Sequence, residues 1–154
     1  MAKTKCGFDS TASSSGPNML VLYGPTLLVD IGFDPDYDPK DPQKIPISGI
    51  KHVEALVDTG AGLSCIDSLL ATQLGLPAID KKPVSGISGQ QEANIYMAQV
   101  HIPSLAFTLY GAFAGVHLQI GGQMHKALIG RDFLRGFTMV YEGRTGTVTI
   151  SSDH

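Results

Sequence analysis

Short aliphatic runs separated by glycine and proline recur along most of this 154-residue chain. The runs are rich in β-branched residues, and they cover residues 19–23, 26–33, 50–58, 94–102, 105–110, 124–129, 137–141 and 146–150. Strands of this length, bounded by turn-forming residues, are typical of all-β domains. We therefore expect one all-β domain over residues 17–154, which is long enough to bury a real hydrophobic core.

A few segments depart from this strand pattern. Residues 67–74 predict one short helix, because an Asp-Ser pair can cap its start, leucines recur within it and Gly75 follows it. A second helical turn is expected over residues 132–136. Residues 34–46 are rich in proline and aspartate, which indicates a solvated loop. Residues 1–16 are rich in serine and poor in apolar side chains, so we expect a disordered N-terminal tail.

Charge and composition disfavour several classes of function. The formal charge is −3 at pH 7 and the basic residues do not cluster, so we expect neither nucleic acid nor an anionic membrane as a partner. The longest apolar stretch, residues 19–33, is interrupted by glycine, proline and aspartate, and we expect neither a membrane span nor a signal peptide. Cys6 and Cys65 suggest no disulfide framework. We expect a cytoplasmic protein with no metal and no cofactor.

One acidic side chain lies in an apolar environment. Asp58 follows the run Val-Glu-Ala-Leu-Val, and the run ends at Gly60. A carboxylate among apolar residues is unfavourable unless it is stabilised or functional, so we expect Asp58 to have a chemical role. Some seventy residues later a second apolar run, residues 127–129, also ends at a glycine and continues as Arg131-Asp132.

The triplet Asp58-Thr59-Gly60 suits hydrolysis by a pair of carboxylates. Two carboxyl groups held close together do not both ionise, so one keeps its proton. The ionised group removes a proton from water, while the protonated group donates a hydrogen bond to the scissile carbonyl oxygen. The hydroxyl group of Thr59 can bond to the opposite loop, and Gly60 lets backbone N–H groups approach the carboxylates. Because the chain has a single triplet, we expect a twofold homodimer in which each protomer supplies one Asp58.

The order of these motifs resembles that of retropepsins, the homodimeric aspartic proteases of retroviruses and their cellular and bacterial relatives, over roughly residues 17–150. Aspartic proteases are the standard example of two carboxyl groups that share a proton. In this comparison residues 17–23 resemble the N-terminal strand, residues 83–89 the glycine-rich flap, and residues 127–134 the Gly-Arg-Asp segment of the psi-shaped motif. The resemblance implies a closed antiparallel β-barrel with one short helix, a flap hairpin and a psi-loop.

The resemblance also implies where a substrate binds. An extended peptide would bind as an added β-strand, held by backbone hydrogen bonds and with alternate side chains in pockets. The alternatives are an ordinary turn at the flap and plain core packing for the apolar wall residues. The substrate-binding candidates are Leu56, Ala61, Gly86, Ile87, Ser88, Gly89 and Leu128.

Two departures from the retroviral pattern concern the dimer. Gly62 and Gly24 stand where retroviral members carry an acidic residue and an arginine that pair between protomers, which predicts a weaker dimer. Arg131 is present without its usual acidic neighbour, so its partner is either a backbone carbonyl group or an acid elsewhere. The main prediction is a homodimeric aspartic endopeptidase that cuts extended, largely apolar peptides. The alternative is a retropepsin-fold dimerisation or protein-interaction module with little or no proteolytic turnover.

Overall fold

The computed structural model describes residues 2–86 and 89–152, and β-strands dominate these residues. The elements follow in the order β1 (Lys3–Lys5), α1 (Gly16–Tyr23), β2 (Thr26–Gly32), β3 (Ile50–Val57), β4 (Cys65–Asp67), α2 (Ser68–Gln73), β5 (Ala78–Gly86), β6 (Gly89–Ile102), β7 (Phe107–Val116), β8 (Ala127–Ile129), α3 (Arg131–Leu134), β9 (Thr138–Glu142) and β10 (Thr147–Ser151). A 3-10 turn, Pro103–Leu105, joins β6 to β7. The fold is therefore all-β, as the sequence predicted.

The strands form two sheets. The larger sheet has the order β2-β3-β8-β4-β7-β6-β5, and β2 also pairs with β6, which closes six of its strands into a ring. The smaller sheet has the order β1-β10-β9. The predicted barrel closure is thus present, but β3–β8 and β4–β7 are parallel pairs rather than antiparallel ones. Because β8 lies between strands that run in opposite directions, it must be parallel to one of them.

Alternating side chains of the barrel strands form the core. Leu27, Val29 and Ile31 of β2 are fully buried, as the two-residue period of a strand requires for a face turned inward. Phe133 of α3 packs edge-on against Phe107 of β7, with ring centroids 5.5 Å apart. This aromatic contact holds α3 against the barrel and so positions the residues at the start of that helix.

The N-terminal segment differs from the predicted disordered tail over residues 1–16. Strand β1 pairs antiparallel with β10, and the N–H groups of Cys6 and Phe8 donate to the carbonyl groups of Val148 and Gly146, at 2.9 and 2.8 Å. Cys6 is also buried in the core. The segment is ordered by backbone hydrogen bonds to a strand edge, and these do not require apolar side chains. Composition, which counts side chains, therefore indicated disorder.

The helices agree with the prediction at two places and differ from it at one. The helical turn expected over residues 132–136 corresponds to α3, Arg131–Leu134. Residues 19–23, predicted as a strand, lie in α1, because Ser15 accepts a hydrogen bond from the N–H group of Asn18 at 3.3 Å and a proline follows at the first turn. Helix α2 confirms the predicted helix, and Gly75 adopts φ +64° at its end. None of the helices within the described residues has the length and apolar character needed to cross a bilayer.

Candidate active site

Asp58 opens the connection between β3 and β4, and β8 lies between these two strands. The N–H group of Asp58 donates to the carbonyl oxygen of Ile129 at 2.8 Å, and the N–H group of Arg131 donates to the carbonyl oxygen of Ala61 at 2.8 Å. A Cβ atom at Gly130 would lie 2.5 Å from that same oxygen, so the close approach of the two segments requires glycine. This arrangement matches the psi-loop that the sequence predicted.

The carboxyl group of Asp58 is held by its own loop. Its Oδ1 accepts a hydrogen bond from the N–H group of Gly60 at 2.8 Å, while its backbone carbonyl oxygen accepts one from Ala61 at 3.2 Å. A Cβ atom at Gly60 would lie 3.0 Å from Oδ1 and would crowd the carboxylate. The half-buried side chain is thereby oriented without being sealed from solvent.

Ser64 and Asp132 join the Asp58 loop to the segment after β8. The Ser64 hydroxyl group donates to Oδ1 of Asp132 at 2.6 Å, and its N–H group donates to Oδ2 at 3.0 Å. The same hydroxyl oxygen accepts from the N–H group of Gly130 at 2.9 Å. Ser64 is completely buried. These bonds tie the loop to the segment after β8, and the carboxylate of Asp132 strengthens the two bonds that it accepts. The sequence pattern did not reveal the role of Ser64.

Arg131 has a backbone partner. Its Nη1 donates to the carbonyl oxygen of Thr59 at 2.7 Å, which resolves the choice between a carbonyl group and an acidic residue. Gly62 leaves space beside the guanidinium, because a Cβ atom there would lie 3.5 Å from Nη2. Arg131 therefore helps to fix the residue that follows Asp58.

Asp58 borders a cavity of about 400 Å³, here called the Leu128 cavity. Its walls come from the Asp58 loop, the β5–β6 hairpin, and strands β7 and β8. Most of the side chains that line it are apolar, and Lys82 supplies one positive charge. The lining residues are Asp58, Gly60, Ala61, Gly62, Leu63, Cys65, Lys82, Pro83, Val84, Ile95, Ala114, Val116 and Leu128.

The structure brings some of the predicted substrate-binding residues to this cavity. Ala61 and Leu128 line it together with Asp58. Leu56 is not among its lining residues and instead approaches Gly24, where a Cβ atom would lie 2.6 Å from Leu56 Cδ1. Leu56 alternates along β3 with the core residues on either side of it, so its side chain points to the other face of the strand.

The predicted flap corresponds to the end of the β5–β6 hairpin. Gly86 pairs with Gly89 across the two strands, and Gly89 has a φ of +96°. Ile87 and Ser88, which were predicted to contact substrate, lie outside the described residues. Val84 of the same hairpin lines the Leu128 cavity, so the hairpin reaches the space next to Asp58.

A second cavity, of about 510 Å³ and here called the Tyr141 cavity, also includes Asp58 in its lining. Thr59 lines the Tyr141 cavity and not the Leu128 cavity. The other lining residues come from the start of β2, the end of β3 and the strand β9. They are Pro25, Val57, Met139 and Tyr141. Asp58 and Thr59 thus lie where the loop meets the smaller sheet.

Cys65 lines the Leu128 cavity but is poorly suited to nucleophilic attack. Burial raises the pKa of its thiol to about 11, with further contributions from the negative charges of Asp132 and Asp58. The thiol donates to the carbonyl oxygen of Leu63 at 3.3 Å. Since the thiolate is the reactive form of cysteine, hydrolysis through Cys65 is disfavoured at neutral pH.

Comparison with known proteins shows the family of the chain. A family model described as aspartyl protease matches residues 44–133, more than half of the chain, and the match includes Asp58 and Asp132. The chain therefore belongs to the aspartyl protease family, as the sequence predicted. Among solved structures, EIAV protease complexed with the inhibitor HBY-793 is similar at 18% identity and a TM-score of 0.44, over 72% of this chain and 85% of that one. The comparison with curated proteins found no match.

Proposed function

We propose that the chain is a homodimeric aspartic endopeptidase that hydrolyses peptide bonds in extended, largely apolar peptides. The observation that carries this proposal is the placement of Asp58. Its carboxyl group is oriented by the N–H group of Gly60 and borders a largely apolar cavity. Membership of the aspartyl protease family supports the same chemistry.

The second carboxylate is proposed to come from a second copy of the chain. Asp132 lies near this loop, since it accepts hydrogen bonds from Ser64. Both oxygens of Asp132 already accept hydrogen bonds from Ser64, so this carboxylate is committed to holding the loop. With one Asp-Thr-Gly triplet per chain, a twofold homodimer supplies the missing partner of Asp58.

In the proposed mechanism the two Asp58 carboxyl groups share one proton, because two negative charges so close together repel each other. The ionised carboxylate takes a proton from a water molecule that attacks the scissile carbonyl carbon. The protonated carboxyl group donates to the carbonyl oxygen, and a tetrahedral diol forms without a covalent enzyme intermediate. Thr59 is proposed to bond to the opposite loop, and Gly60 to keep the carboxylate oriented.

The substrate is proposed to lie in the Leu128 cavity as an added β-strand under the β5–β6 hairpin. Ala61 and Leu128 border the cavity and support this placement. Gly86 and Gly89 at the end of the hairpin remain candidates for backbone contacts with the peptide, as do Ile87 and Ser88. Leu56 does not line this cavity, so the cavity does not support its assignment as a substrate contact.

We also propose a reducing, cytoplasmic setting. Both cysteines, Cys6 and Cys65, are free thiols and buried, which suits a compartment where thiols stay reduced. Fractionation of the source cells with an antibody to the protein tests this proposal. Recovery in the cytoplasmic fraction is expected, and recovery from an oxidising compartment contradicts it.

The peptidase proposal is tested by incubating the pure protein with a mixed peptide library from about pH 3 to pH 7, with and without pepstatin. New termini are expected to appear and to be suppressed by pepstatin. Asp58→Asn should lower kcat/KM by at least about 1000-fold, because it removes the group that activates water. The control Asp9→Asn changes an exposed aspartate outside both cavities and should retain activity. An absence of new termini at every pH would favour the dimerisation or interaction module instead.

A further inference from the structure

We propose that Lys82 sets a sequence preference of the proposed peptidase, by binding the carboxylate of a glutamate side chain in the substrate. This inference rests on the proposed function and deepens it, since it adds one acidic residue to an otherwise apolar peptide. The glutamate side chain lies in the Leu128 cavity. Its methylene groups contact the apolar wall, and its carboxylate accepts from the ammonium group of Lys82.

Strand β5 places Lys82 on the wall of this cavity. Side chains of a strand alternate between its two faces, so Lys82 and Val84 share one face of β5 while Lys81 lies on the other. Lys82 and Val84 both line the Leu128 cavity, and Lys81 does not. Ile95 of the neighbouring strand β6 is buried and lines the same cavity. Lys82 therefore belongs to the face of the hairpin that borders the space next to Asp58.

The cavity holds one group of each charge among its described lining residues, Lys82 and Asp58. Cys65 also lines it, and burial raises the pKa of its thiol to about 11, so the thiol adds no charge at neutral or acidic pH. Most of the remaining wall is apolar, including Val116 and Leu128. Since Asp58 repels a second negative charge, an acidic side chain of the substrate is favoured only at the Lys82 end of the cavity.

Lys82 has no acidic neighbour across the hairpin. It pairs with Ala93, and its diagonal neighbours on β6 are uncharged. The acidic residue two positions earlier on the same face is Asp80, which is exposed and does not line the cavity. Oδ1 of Asp80 accepts from the N–H group of Lys81 at 2.7 Å. A substrate carboxylate therefore competes with a single solvent-exposed acid for the ammonium group.

Lys81 has the opposite surroundings, which makes it the matched control. It pairs with Asn94 and lies diagonal to Glu92. Lys81 and Glu92 line a separate pocket of about 320 Å³ on the other face of the hairpin. A charge change at Lys81 therefore alters the same strand by the same amount without altering the wall of the Leu128 cavity.

The size of the cavity limits where the glutamate lies in the peptide. A volume of about 400 Å³ corresponds to a width of about 7 Å, and an extended chain advances about 3.3 Å per residue. The glutamate is therefore expected within about two residues of the scissile bond. Glutamate is favoured over aspartate, because its additional methylene group buries more apolar surface against the wall.

Pairs of peptides that differ only by glutamate or glutamine test the role of Lys82. In an extended apolar peptide, the two residues are compared in turn at each position within two of the scissile bond. At one position, wild-type kcat/KM should be about 10-fold higher for the glutamate member, because glutamine has the same size without the charge. Lys82→Glu should reverse this ratio, whereas Lys81→Glu should keep it. A wild-type ratio near one at every position, or a Lys82→Glu ratio equal to that of the wild type, would overturn the proposal.

The preference should also depend on the ionisation of the substrate. A glutamate side chain with an ordinary pKa of about 4.3 is charged near pH 6 and neutral near pH 3, so the ratio should fall towards one on acidification. The glutamine peptide reports how the reaction itself depends on pH, and dividing by its kcat/KM removes that dependence. A ratio that is equal at both pH values would contradict binding through charge.

Binding of the labelled peptide pair to Asp58→Asn protein, measured by fluorescence anisotropy, separates this inference from the proposed function. Binding of the glutamate member about 10-fold more tightly, with no cleavage of any peptide by the wild type, would refute the peptidase and leave the role of Lys82 standing. Cleavage that pepstatin suppresses, with equal kcat/KM for both members, would support the peptidase and refute the role of Lys82.

Discussion

Ser64 positions the loop that carries Asp58, because its completely buried hydroxyl group bonds this loop to Asp132. Ser64→Ala removes the hydroxyl group that donates to Asp132 and accepts from Gly130. The N–H group of Gly130 is then buried without that acceptor, so we expect the free energy of unfolding to fall by about 2 kcal/mol. Urea unfolding measures this change. The control Ser104→Ala, at an exposed serine, should leave the unfolding midpoint near the wild-type value.

Substitution of Gly130 tests how closely the Asp58 loop and the segment after β8 approach each other. In Gly130→Ala the new methyl group would lie 2.5 Å from the carbonyl oxygen of Ala61. Because that oxygen belongs to the backbone of the Asp58 loop, we expect a loss of about 2–4 kcal/mol in unfolding free energy. Gly136→Ala is the matched control, since its methyl group would make an ordinary contact at 3.8 Å with the carbonyl oxygen of Phe133. Equal thermal midpoints for the two variants would contradict this account.

At the residue scale, local sequence marked Asp58 as a catalytic candidate but gave no sign of Ser64. A carboxylate that ends an apolar run is visible within ten residues of sequence, as is the triplet that follows it. The bond between Ser64 and Asp132 joins residues 68 positions apart. Each of them taken alone resembles an ordinary polar residue of a loop, so their pairing appears only in the folded chain.

At the element scale, strand patterns and helix-capping signals compete. The apolar residues 19–23 predicted a strand, yet Ser15 and the following proline start a helix that contains them. The last three residues of this helix are apolar and exposed. The periodicity of a five-residue apolar run does not distinguish a strand from the exposed end of a helix. The three-residue strand β8 was recognised as an apolar run, but its insertion between β3 and β4 depends on long-range pairing.

At the scale of the whole molecule, two buried histidines make stability depend on pH. Burial lowers the pKa of His101 and His125 below the ordinary 6.5, and the carboxylates of Asp30 and Glu54 offset this in part. Nε2 of His125 bonds to the Thr26 hydroxyl group at 2.9 Å, whereas Nδ1 has no hydrogen-bond partner within residues 2–86 and 89–152. The folded state therefore favours neutral imidazole rings.

The sign of the pH effect follows from these lowered pKa values. Below pH 6.5 the unfolded chain binds protons that the folded chain resists, so stability should fall as the pH falls through this range. Urea unfolding at about pH 7.5 and pH 5 should show this loss, and His125→Gln should show a smaller one. His52→Gln, at an exposed histidine, should keep the wild-type pH dependence. A wild-type stability that rises on acidification would contradict the prediction.

The overall architecture was predictable because an all-β domain follows from repeated short runs, which are a property of the whole chain. The N-terminal segment was not, since the pairing of β1 with β10 joins the two ends of the chain through backbone groups. A composition poor in apolar residues carries no sign of such pairing. The homodimer follows only from counting one Asp-Thr-Gly triplet in the sequence, and it stays a prediction.

Mixing active and inactive subunits shows whether two chains share one reaction centre. Wild-type protein is mixed with an equal amount of Asp58→Asn protein, and peptide cleavage is measured after the subunits have exchanged. A shared site predicts that activity falls to about half, because half of the wild-type subunits then sit in dimers with one Asp58. Activity that stays at the full wild-type level after exchange would show that each chain carries a complete site of its own.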